Sequence, residues 1–253
     1  MNLYYNHRTD PLEQLIARNA DASLRSGPAG RGFYDENRRC CGVTKRLREF
    51  IRSGGQVAAA RVSRPGWRTM TSSRATGAKI HRVLLHGIIC VPSGRCVCAA
   101  SGSPAPDMRL TAQAFSRACL AAAREFLQET GLAATVGELI VAHPRFAVAT
   151  RIDLMCTNGA GRPVVVSWKS GSGPANAREL RRHKTQVAFE WAMVEAAGER
   201  VARAYIVYVG GVARGAAVVP YYHVITVMRD EARALSDAFS AWLEQRQARK
   251  ANK

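Results

Sequence analysis

The sequence predicts an α/β (α+β) fold, a mixed central sheet flanked by helices with the order helix, three strands, helix, strand. Three observations predict it. Apolar residues recur at helical spacing on both sides of a block of short β-branched runs. The turn pair Asn158-Gly159 separates two of those runs, as in a hairpin. Hydrophobic residues make up 47% of the 253 positions, enough to bury one large core.

The elements follow along the chain. Residues 1–72 form a basic, partly irregular region with frequent Gly and Ser; Ser23–Gly32 is expected to be a mobile loop, Val43–Ile51 a short helix and Ser53–Ser73 a loop again. Residues 73–253 hold the clear pattern. Arg74–Ile89 reads as a helix, Val91–Asp107 as a Pro/Gly/Ser loop, and Arg109–Thr130 as an Ala-rich amphipathic helix stopped by Gly131. The period then shortens: Glu138–Ala142, Phe146–Cys156 and Pro163–Lys169 read as strands. Asn176–Ala197 is a second long helix, Ala204–Val209 and Val218–Val227 are strands, and Arg229–Ala248 closes the chain as a helix with a basic end.

Charge narrows the partner. There are 37 Lys and Arg against 19 Asp and Glu, a net +18, and half of that excess falls in residues 1–79. A polyanion is the expected partner, nucleic acid before anionic membrane. No apolar run is long enough to span a bilayer, so no membrane insertion is expected. The seven cysteines include no CxxC pair, which argues against a zinc knuckle, a thioredoxin-like site and a four-cysteine iron–sulfur cluster. Reduced thiols in an intracellular protein are expected, and Met1–Leu15 lacks the apolar stretch of a secretory signal. Asp10, Glu13 and Asp21 argue against a mitochondrial presequence. Bacterial, viral and mitochondrial settings all fit. A monomer without a small-molecule cofactor is favoured.

Three residues carry the chemistry. Glu138 begins a strand, Asp153 sits inside the apolar run Ile152-Asp153-Leu154, and Lys169 ends the strand Val164–Lys169. A carboxylate inside an apolar strand is a costly placement unless it serves a site. The turn at Asn158-Gly159 brings the Asp153 and Lys169 strands side by side. Carboxylates there suit Mg²⁺ or Mn²⁺, which take oxygen ligands, and a lysine can orient water or stabilise charge developing on a phosphate.

Residues 73–209 resemble the PD-(D/E)XK nuclease superfamily, specifically its RecB-like branch, which includes mitochondrial genome-maintenance exonucleases. Thr76–His81 is similar to the "GTxxH" helix, Ala149–Leu154 to "AGxIDL", Val164–Lys169 to the strand ending in "(D/E)xK", and Gln186–Phe189 to the start of "QLxxY". The resemblance implies a restriction-endonuclease-like αβββαβ core and an Mg²⁺-dependent exonuclease of DNA ends or single strands acting in replication, repair or recombination. It implies Asp153, Glu138 and His81 as metal ligands, Lys169 as the catalytic lysine and Gln186 as a residue lining the site.

One position departs from the pattern: Ser167 stands where the family has an acid. Either Glu179, on the helix that follows, supplies the carboxylate, or the chain binds nucleic acid without cleaving it. Glu179, His183, Gln186 and Glu190 are spaced to share one helix face. The basic run Arg178, Arg181, Arg182 and Lys184 opens the same helix and is expected to grip phosphates. Trp168, alternating with Ser167 and Lys169, is expected to face the core.

Overall fold

The computed structural model describes residues 24–26, 33–35, 38–53, 74–90 and 113–252. Strands β1 (Leu24–Ser26), β2 (Phe33–Asp35) and β3 (Arg38–Gly42) form an antiparallel meander, and helix α1 (Val43–Arg52) follows directly. Helix α2 (Arg74–Leu85) runs into one π-helical turn, His86–Cys90. Helix α3 (Ala114–Thr130) leads to strands β4 (Ala133–Ala142), β5 (Val148–Thr157) and β6 (Pro163–Ser170). Helix α4 (Ala177–Ala196), the strands β7 (Arg203–Arg214) and β8 (Ala217–Val227), and helix α5 (Arg229–Ala251) complete the chain.

Among the described residues the sheet has eight strands and is mixed. β4, β5 and β6 are antiparallel neighbours, β6 and β7 run parallel with α4 as their crossover, and β8 returns antiparallel to β7. Along one edge β5 pairs with β4 over nearly its whole length. Its other edge is shared: Val148 and Ala149 pair with Cys41 and Gly42 of β3, whereas Leu154–Thr157 pair with β6. Between those two ladders, at residues 150–153, β5 has no strand partner on that edge among the described residues.

Helices cover both faces. Val43, Leu47 and Phe50 of α1 pack with Val187, Phe189 and Met193 of α4 and Phe239 of α5 against Ile152, Val165 and Ile206. Ile80 and Leu84 of α2 pack with Phe126 of α3 against Leu154, Val166, Trp168 and Val207 on the opposite face. β6 is therefore apolar on both sides, as a strand central to a helix-covered sheet must be. Trp168 is core, packed edge-on to Phe126.

The αβββαβ order expected from sequence is present, with local differences. Leu24–Ser26 is a strand, not part of a loop; a three-residue segment carries no readable period, and its partner β2 makes it a strand. β4 begins at Ala133, five residues before the β-branched signal, because pairing with β5 outweighs the weak propensity of Ala133-Ala134. β7 and β8 extend into a hairpin turning at Gly215. Gly131 is left-handed, with φ 62°, and ends α3 as expected. The expected loop Val91–Asp107 lies outside the described residues.

Candidate metal centre

The gap in the β5 ladder is where the chemistry collects. With no β5 carbonyl in register, the Trp168 backbone N–H donates instead to Asp153 Oδ2, at 2.9 Å. Ser167 Oγ donates to the same oxygen at 3.0 Å, and Lys169 Nζ donates to Ser167 Oγ at 2.8 Å. Lys169 Nζ lies 3.9 Å from Asp153 Oδ2. The side chain of Asp153 is 14% exposed. Burial opposes its ionisation, but His81, Lys169 and the Ser167 hydroxyl outweigh it and hold the carboxyl at about 2.

The second acid stands across the ladder. Glu138 faces Asp153 between the pairs Gly137–Leu154 and Leu139–Ile152. Its backbone is left-handed, φ 56°, the one such non-glycine among the described residues. That conformation costs about 1–2 kcal/mol for a residue with a Cβ, and it occurs where two carboxylates oppose each other. Arg151 Nη1 donates to Glu138 Oε2 at 3.0 Å. Burial and the Asp153 charge nevertheless raise the Glu138 carboxyl, outweighing Arg151 and His81.

The third group arrives on α2, and the closeness of that helix is set by glycine. A Cβ on Gly137 of β4 would lie 2.3 Å from Leu85 Cδ1, and one on Gly77 would lie 3.2 Å from Ser170 Oγ. Gly77, His81 and Leu85 are spaced four apart and form one helix face. With its ends seated over β6 and β4, the middle residue falls over β5: His81 Nδ1 lies 3.4 Å from Asp153 Oδ1. Burial lowers the imidazole pKa, but the Asp153 charge and hydrogen bond outweigh it, and the net shift is upward.

Ligand atoms of His81, Glu138 and Asp153 lie within 4.8 Å of one another, the one such group among the described residues. One imidazole nitrogen and two facing carboxylates fit a divalent cation that prefers oxygen, Mg²⁺ or Mn²⁺.

The structure treats the other expected residues differently. Glu179 is not in this group. Its Oε2 accepts from the Ala175 N–H at 2.6 Å, its own N–H donates to Asn176 Oδ1 at 2.9 Å, and Arg182 lies 3.5 Å from Oε1. It is a capping acid, fixed at the start of α4. Gln186 Nε2 donates to Glu190 Oε1 at 2.9 Å, and Thr150 Oγ1 donates to the same oxygen at 3.1 Å. Glu190 is 1% exposed, and its Oε2 has no hydrogen-bond partner. Burial and the nearby Asp153 charge push this carboxyl up to about 7. Lys184 is taken by Glu231 of α5 at 2.6 Å. Arg178 and Arg182 turn toward α1, and Arg181 lends its carbonyl to Thr185 Oγ1.

Sequence reasoning passed over three contributors. Glu190 is visible in the sequence only as the fourth residue of a helix face, Arg151 only as a cation in a strand, and Gly137 falls just outside the expected strand Glu138–Ala142. The legible signal was in Gly77 and Gly137, since glycines within elements often mark a close approach.

Among the described residues, no helix is long and apolar enough to cross a membrane. No protein-family model matches the chain, and no curated protein matches it. Solved structures similar to it include SSO0001, at 14% identity over 78% of this chain and 82% of that one, with a TM-score of 0.28. Another is LHK-Exo in complex with dAMP, at 13% identity over 69% of this chain and 91% of that one, with a TM-score of 0.31. Likenesses this slight carry no functional weight, and the chemistry is read from the site's own residues.

Proposed function

We propose that this protein is a metal-dependent nuclease that hydrolyses phosphodiester bonds in DNA, as an exonuclease at ends or on single strands in replication, repair or recombination. The observation that carries the reading is the meeting of His81, Glu138 and Asp153 within 4.8 Å, with Lys169 3.9 Å from Asp153. Three ligand-type side chains and a lysine on four different elements converge at a break in a sheet, and no packing need explains them.

His81, Glu138 and Asp153 would hold Mg²⁺ or Mn²⁺. Bound there, the cation supplies Lewis-acid stabilisation of phosphate charge and acidifies water. The chain's own residues do the rest. Lys169, braced through Ser167, places an ammonium beside Asp153, where it orients the attacking water and stabilises charge on the phosphate in the transition state. Water attacks phosphorus, the bond to the leaving strand's oxygen breaks, and that oxygen takes up a proton. Arg151 keeps Glu138 turned to the site. His81 must release its proton to ligate, so acid opposes loading of the site.

Ser167 supports a second reading, a nuclease-fold protein that binds nucleic acid and no longer cleaves it, because a hydroxyl replaces one negative charge beside Asp153. The two are separated by incubating linear single-stranded, linear duplex and circular DNA with Mg²⁺, Mn²⁺ or EDTA. An exonuclease degrades the linear forms in either metal and spares the circle. Binding without degradation in either metal favours the second reading.

A further inference from the structure

We propose that the cavity between α1 and α4 is a phosphate-binding subsite, formed by Arg48 and Arg52 of α1 and Arg178 and Arg182 of α4. The cavity has a volume of about 570 Å³, enough for a nucleotide-sized group. Four guanidinium groups line it against one carboxylate, that of Glu179. Glu179 is already answered from within the protein by the Ala175 N–H and by Arg182.

Three of the four arginines around this cavity lack the carboxylate partner that several others in the fold have. Arg46 and Arg246 both pair with Glu49, Arg145 pairs with Glu244, and Arg229 pairs with Glu195. Arg48, Arg52 and Arg178 make no hydrogen bond or ion pair with the described residues, yet they converge from two helices on one concavity. Gathering four like charges around a single carboxylate is unfavourable, and a phosphate relieves it through charge-assisted, forked hydrogen bonds. The location suits a strand that also reaches the metal centre. Arg182 Nη2 lies 3.2 Å from His183 Nε2, and the buried His183 ring senses the charges of Lys169 and Asp153. One residue thus separates the cavity from the catalytic pair. A terminal phosphate and one within the strand both present non-bridging oxygens that these arginines can grip. That the phosphate belongs to a nucleic acid strand rests on the proposed function.

The test is the Arg48→Ala/Arg52→Ala double variant. Both residues are exposed, so unchanged circular dichroism is expected. Binding of a fluorescent single-stranded oligonucleotide, with and without a 5′-phosphate, is measured in EDTA across a salt series, with Arg233→Ala as control. The double variant should bind roughly tenfold more weakly, and its salt dependence should be shallower by about 1.4, near 0.7 for each lost contact on a single strand. Loss confined to the phosphorylated oligonucleotide assigns the cavity to a strand end; equal loss on both assigns it to an internal phosphate. Affinity and salt slope equal to wild type on both, or the same loss in Arg233→Ala, overturn the subsite. Arg48- and Arg52-dependent binding by a protein that cleaves nothing in Mg²⁺ or Mn²⁺ would keep the subsite and reject the nuclease.

Discussion

Ser167 Oγ donates a hydrogen bond to Asp153 Oδ2, so a donor occupies the position from which the resembled family presents an acid. The hydroxyl relays the charge of Lys169 to Asp153 and helps keep that carboxyl ionised. Ser167→Asp reverses the local balance. A second carboxylate beside Asp153 repels it in metal-free protein, and a divalent cation removes the repulsion. The variant should melt lower than wild type in EDTA and gain more on adding Mn²⁺, with Mn²⁺ bound about tenfold tighter by calorimetry. Equal Mn²⁺ affinity in variant and wild type would show that residue 167 does not face the metal.

Glu190 gives a pH signature. Its carboxyl sits at about 7 in the fold against 4.5 ordinarily. Between those values the folded protein keeps a proton that the unfolded chain has released. Stability of the metal-free protein therefore falls as pH rises from about 4.5 to about 7, by on the order of 3 kcal/mol. Glu190→Gln removes this slope. Urea unfolding in EDTA should show the variant more stable than wild type at pH 8 and nearly equal at pH 4.5. Parallel curves would mean that Glu190 is ionised at neutral pH in the fold.

Glu179→Ala separates capping from catalysis. The Ala175 and Arg182 contacts are lost, which should cost about 1 kcal/mol of stability in denaturant unfolding. Mn²⁺ affinity should be unchanged, because Glu179 stands apart from His81, Glu138 and Asp153. A large fall in affinity would restore Glu179 as a ligand.

Gly137→Ala tests how α2 is seated. The added methyl meets Leu85 Cδ1 and pushes the helix away, at about 1–3 kcal/mol. His81 moves with the helix, so Mn²⁺ should bind more weakly than in a variant of equal stability made elsewhere, such as Leu243→Ala in the α5 core.

Much of the frame was legible because periodicity reports what each element buries. Val164–Trp168 is apolar on both faces because helices cover both, and Asp153 stood out against Ile152 and Leu154 for the same reason. What escaped depended on contacts between distant segments. Glu179 is the exception: its contacts with Ala175, Asn176 and Arg182 are all within four positions, and the Asn176-to-Glu179 spacing is that of a capping pair. Glu190 is buried and bonded by Thr150, forty positions away on β5, which its own helix does not reveal. The basic run of α4 reads as one surface, yet Glu231 claims Lys184, whereas Arg178 and Arg182 join Arg48 and Arg52, which lie some 130 positions earlier in the chain.

Cleavage of an end-labelled single-stranded oligonucleotide by wild type, Asp153→Ala and Lys169→Ala, side by side in Mn²⁺ and in EDTA, tests the nuclease reading most directly. Wild type should shorten the strand in Mn²⁺ alone. Each variant should be slower by about 10²-fold or more, while still binding the oligonucleotide. A wild-type protein that leaves the strand intact in Mn²⁺, or cleavage that persists unchanged in Asp153→Ala, would contradict it.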